Sequence, residues 1–133
     1  MADIVSLAEA VARELKPYGD AEVMFAPDLS LPGLKELRII VAPIGLGMKP
    51  LARGYTEDVL TVQVGLLKRC TEDEIPSLIG KVTEIGRSFL DKRLEGATCM
   101  NVKYDPLFYP PHFKERRQFT GVIELSFKAV ETR

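Results

Sequence analysis

The sequence has little of what most active sites are built from. Among its 133 residues there is one histidine, His112, and there are two cysteines, Cys70 and Cys99. His112 sits in the run Tyr109-Pro110-Pro111-His112-Phe113, between two expected strands. Any Ser-His or Cys-His nucleophile pair would have to use it, and no GxSxG turn is present to present a serine. A loop histidine is therefore the plainer reading. One histidine, two separated cysteines and scattered carboxylates match no standard zinc spacing. Neither a metal nor a cofactor is expected, and no residue is assigned a catalytic role. Acid-base work by paired carboxylates needs only closeness in space; Asp58 and Asp105 are the candidates for it.

Charge of one sign is lacking too. Eighteen Lys and Arg against 19 Asp and Glu leave a net charge of -1, so no global basic field draws nucleic acid. No apolar run approaches the ~20 residues of a membrane span. The start, Met1-Ala2-Asp3-Ile4, carries an acid where a secretory signal carries positive charge. With no CxxC pair, the expectation is a chain made in the cytoplasm with both thiols reduced, each buried as a small apolar residue. The glycine-rich stretch Pro43-Ile44-Gly45-Leu46-Gly47-Met48-Lys49-Pro50 lacks the frame of a phosphate cradle, because Pro50 and Arg53-Gly54 interrupt it and a strand comes next.

What is present is an ordinary globular balance, 46% hydrophobic and 28% charged, which excludes a long disordered chain. Ile4, Leu7, Ala8, Val11 and Leu15 recur at helical spacing; Asp3 or Ser6 can cap that helix, and Ser6 with Glu9 fits a capping box. Short strands are expected over Ala21 to Phe25 and Leu34 to Ala42, the second ended by Pro43. In the third, Leu60, Val62, Val64 and Leu66 alternate with Thr61, Gln63 and Gly65, the period of a sheet with one buried face. Thr71 and Glu74 form a capping box ahead of the stripe Ile75, Leu78, Ile79, Val82, Ile85 and Phe89; Lys92, Arg93 and Gly96 suit its end. Ala97 to Tyr104 and Arg117 to Val130 close the chain as strands. The expectation is one α+β domain over residues 1–133, in the order α-β-β-β-α-β-β. Its sheet is mostly antiparallel or mixed, with two helices packed on one face and a polar opposite face.

Two connections stand out. Ile44 to Gly54 is longer than a tight hairpin needs and mixes Leu46, Met48 and Leu51 with Lys49 and Arg53. It suits docking on another protein, or folds back on its own core. Asp105 to Phe113 gathers three prolines with Phe108, Tyr109 and Phe113. Stiff, aromatic segments suit interfaces; a lid over one end of the core is the other reading. Met48, Lys49, Arg53, Phe108, Tyr109 and Phe113 are the candidate contact residues.

The chain resembles the tail terminator, or tail completion, proteins of long-tailed bacteriophages. The resemblance rests on the size, the opening helix Ile4 to Leu15 and the strand Leu37-Arg38-Ile39-Ile40-Val41-Ala42-Pro43. It rests also on Glu57-Asp58-Val59-Leu60-Thr61-Val62-Gln63-Val64-Gly65-Leu66, the long helix after Thr71 and the two closing strands. It implies a non-enzymatic virion protein, assembled in the host cytoplasm, that forms a homo-oligomeric ring of about six copies through head-to-tail contacts. Such a ring caps the tail tube, stops its polymerisation and offers a surface to head or neck connector proteins, with DNA only passing through the lumen and no membrane involved. The rival expectations are another head-tail connector and a small ligand-binding or regulatory module with a concave pocket. An enzyme working through His112 or the carboxylates is the third.

Overall fold

A computed structural model describes residues 3–26 and 35–132. The expected turn from Pro27 to Gly33, and Leu34 at the start of the expected second strand, lie outside the described residues. Helix α1 (Ile4–Leu15) is followed by strands β1 (Asp20–Val23), β2 (Arg38–Ala52) and β3 (Tyr55–Arg69). After a 3-10 turn at Glu72–Glu74 come α2 (Ile75–Phe89), β4 (Arg93–Leu94), β5 (Ala97–Tyr104), α3 (Pro110–Arg116) and β6 (Gln118–Thr132). The strands form one mixed six-stranded sheet in the order β1-β2-β3-β6-β5-β4. Only β1 and β2 run parallel; the other pairings are antiparallel. This is the expected α+β class.

Alternation decides which face each strand buries. Leu60, Val62, Val64 and Leu66 of β3 and Phe119, Ile123, Leu125 and Phe127 of β6 are all fully buried. They join Leu7, Val11 and Leu15 of α1 and Val82, Ile85 and Phe89 of α2 in one core. Burying a Leu, Val, Ile or Phe side chain stabilises by roughly 1.5–3 kcal/mol, so this layer dominates the fold's energetics. The start of α1 is capped by Asp3: its carboxylate accepts from Val5 N at 3.2 Å and from Ser6 Oγ at 3.0 Å. Ser6 thus serves the cap instead of being it. At Thr71 the capping box forms as expected, with Thr71 N donating to Glu74 Oε1 at 3.0 Å.

Three expectations are corrected. Pro43 does not end β2; the ladder shifts by one residue between Pro43 and Gly45 and continues to Ala52, a bulge that accommodates a residue with no N–H to donate. Helix α2 stops at Phe89, and Lys92, Arg93 and Gly96 belong to a hairpin. Glu95 at φ 49 and Gly96 at φ 79 supply its two left-handed residues, the backbone that a two-residue turn demands. The outer sheet face is neither wholly polar nor wholly open: Ile40 and Leu67 pack with Met24 in a small second cluster, and Gln118 and Thr120 are buried beside α3.

Candidate functional site

The stretch from Ile44 to Ala52 is a strand that forms an arm. Paired with β3, it runs out to a turn at Arg53 and Gly54, where Gly54 takes φ 82. β1 borders β2 only from Arg38 to Val41. Beyond Val41, no neighbouring strand among the described residues lies on that edge. The arm is also where the apolar cover ends. Leu46 pairs with Leu60 and Met48 with Asp58, yet Leu46 is 50% exposed and Met48 63%, against 0% for Leu60 and 5% for Asp58. Ile44 and Leu51 are each about half exposed as well. A row of large apolar side chains beside an open strand edge is a surface that a folded chain normally covers.

The arm's other face is charged. Lys49 and Glu57 face each other across the ladder, and Lys128 lies on the far side of β3. Glu57 Oε1 is 3.5 Å from Lys49 Nζ and 3.4 Å from Lys128 Nζ. Partial desolvation works to raise the Glu57 pKa, but Lys128 and Lys49 outweigh it and hold the carboxyl below its usual value. Met48, Lys49 and Arg53 are all exposed, so the structure brings the three onto one projecting element, with Met48 and Lys49 on opposite faces.

The second group of candidates is split. Phe113 lies in the core, and Phe108 packs on it, stacked on Phe119 at 5.4 Å and edge-on to Phe113 at 6.5 Å. These two serve as a lid over one end of the core, the other reading of this segment. Tyr109 remains at the surface, 40% exposed, with its ring 4.6 Å from that of His112. Residues 105–109 extend β5 irregularly along β6: Val122 N donates to Pro106 O at 2.8 Å and Tyr109 N to Thr120 O at 2.9 Å. Between this segment and the outer sheet face is a cavity of about 470 Å³, lined by Gln63, Asp105, Pro106, Tyr109, His112 and Val122, with Thr120 beneath. His112 Nδ1 lies 2.7 Å from Thr120 Oγ1, which also accepts from Gln118 Nε2 at 2.8 Å. Burial and the nearby Arg116 charge lower the His112 pKa, against a smaller opposing effect of Glu115, so the ring is held neutral at pH 7. The sequence marked the segment by composition only. The partners Gln63, Gln118 and Thr120 were hidden, because they come from strands distant in the chain.

The two candidate carboxylates lie far apart. Asp58 pairs with Ala129 and Asp105 N bonds Val122 O, seven residues apart along β6 and so separated by about 23 Å of strand. They do not form an acid-base pair. Gly45 and Gly47 lie within β2, not at a helix start. Both cysteines are buried and free; burial raises the Cys70 pKa and pushes that of Cys99 up to about 11. Among the described residues no cluster of three or more metal-ligating side chains occurs, and no helix is long and apolar enough to cross a membrane. The chain matches no protein-family model and no curated protein sequence.

Proposed function

We propose that this protein is a structural assembly subunit that joins copies of itself into a ring through the β2–β3 arm. The reading continues as a bacteriophage tail terminator or a neighbouring head-tail connector: a ring of about six copies that caps a tail tube and meets connector proteins, DNA only threading its lumen. The observation that carries it is the arm itself. Ile44, Leu46, Met48 and Leu51 stand about half exposed or more, next to a strand edge that another chain can extend. The arm and its surroundings are different surfaces, so a contact between them is head-to-tail and closes into a ring when the rotation allows. The chemistry is non-covalent recognition, with no catalytic step.

Light scattering on a sizing column, followed by negative-stain imaging of any large species, tests this. The expected result is a ring of several copies, reduced to monomer by Leu46→Asp with Met48→Asp. A wild-type monomer at every concentration, or a ring indifferent to those substitutions, overturns it.

A further inference from the structure

The cavity beside residues 105–112 is independent of the arm and has its own chemistry. Its polar groups are fixed from behind. Gln118 and Thr120 are 2% and 1% exposed, and they orient the only histidine of the chain. Gln118 Nε2, which can only donate, gives a hydrogen bond to Thr120 Oγ1 at 2.8 Å and stands 3.5 Å from His112 Nδ1. Thr120 Oγ1 lies 2.7 Å from His112 Nδ1. We assign the Nε2–H tautomer, in which Thr120 Oγ1 donates to Nδ1 and Nε2 is left to donate. His112 is thereby a fixed neutral donor at the cavity wall. Asp105, whose side chain is 64% exposed and whose Oδ2 lies 3.5 Å from Lys103 Nζ, supplies an acceptor at the rim. Gln63 offers both kinds of group, and Pro106, Val122 and the Tyr109 ring are apolar walls. At about 470 Å³ the space falls within the ~300–1,000 Å³ of small-molecule sites, which combine apolar walls with a few placed polar groups.

We propose that this cavity binds a neutral, planar nitrogen heterocycle of nucleobase size, with a ring N–H on the Asp105 carboxylate and a ring acceptor on His112 Nε2–H. Nucleobases carry a donor beside an acceptor on one edge, and Asp105 and His112 both line the cavity. Tyr109 supplies an aromatic surface on which a base can stack. No lysine or arginine lines the cavity, and the nearby Lys103 is paired with the Asp105 carboxylate, so the ligand is a base or nucleoside and not one held by its phosphate.

The test titrates guanosine, adenosine, cytidine and uridine separately into the full chain, following the His112 and Tyr109 resonances by NMR and the heat by calorimetry. At least one nucleoside is expected to give saturable shifts at both residues. Asp105→Asn, at an exposed position, and His112→Phe are each expected to weaken binding about tenfold, the first by turning a charged acceptor into a neutral one and the second by the loss of one hydrogen bond. Met48→Ser, on the arm, is expected to leave it unchanged. Nitrogen shifts of the free protein should show the Nε2–H tautomer. Absence of saturable shifts with all four nucleosides overturns the proposal, as does binding that Asp105→Asn and His112→Phe leave intact.

Discussion

At the scale of single residues, two glycines of α2 make opposite predictions. A Cβ on Gly86 would fall on the Tyr104 ring, 2.7 Å from its Cζ, whereas one on Gly80 would meet nothing within 4 Å. Tyr104 is held there by donating to Thr83 O at 2.8 Å. Gly80→Ala should therefore stabilise by about 0.5–1 kcal/mol through helix propensity. Gly86→Ala should destabilise by about 1–3 kcal/mol through overpacking. Urea midpoints of the two variants, moving in opposite directions, check this. His112 gives a pH prediction. Its folded pKa lies below the ordinary value near 6.5 because burial and Arg116 oppose the charge. Protonation thus favours the unfolded chain. The stability from neutral His112 is present above about pH 6.5 and is lost as pH falls through the depressed folded value. Unfolding midpoints at pH 7.5 and 5.5 should differ more for the wild type than for His112→Gln. The cysteines belong to this scale as well. With both thiols buried and the pKa of Cys99 raised to about 11, a thiol-reactive chromophore should label neither until denaturant is added.

At the scale of elements, the arm and the capped helix respond differently. Thr71→Ala removes the capping box of the turn that starts α2 and should cost about 1 kcal/mol of stability, with assembly unchanged. Leu46→Asp with Met48→Asp should do the reverse. Both side chains are half exposed or more, so the monomer's melting temperature should hold, since surface changes usually stay within about 0.5 kcal/mol, while the assembled species is lost. Calorimetry and light scattering on the same samples separate the two effects. The elements were unequally legible in the sequence. Alternation at Leu60, Val62, Val64 and Leu66 announced β3, and the stripe from Ile75 to Phe89 announced α2, because one buried face imposes its own period. The arm was read as a loop because Gly45, Gly47 and two prolines are poor strand formers. Pairing with β3 along its whole length outweighs that propensity. Helix α3 was missed for a related reason: its residues are dominated by prolines at the first turn, which read as loop until Phe113 anchors them in the core.

At the scale of the molecule, the near-zero net charge bears on how copies meet. With 18 basic and 19 acidic residues, self-repulsion is small, and association through an apolar arm should depend weakly on salt. Sizing runs at low and high ionic strength should give the same oligomer; dissociation by salt would instead point to the charged face around Lys49, Glu57 and Lys128.

The sequence by itself determined the α+β class, the core-facing side of β3 and β6 and the start of each long helix, because periodicity and capping are local and can be read from neighbours in the chain. It also shows how few histidines and cysteines the chain has, one and two. Tertiary structure alone decided that Phe108 and Phe113 turn inward while Tyr109 stays out, and that Met48 projects on a strand instead of folding back. It alone placed His112 against Thr120 and Gln118, and separated Asp58 from Asp105. These are matters of register and of coverage by distant segments. They depend on which strand lies beside which, and one residue's shift at a bulge reassigns every side chain beyond it.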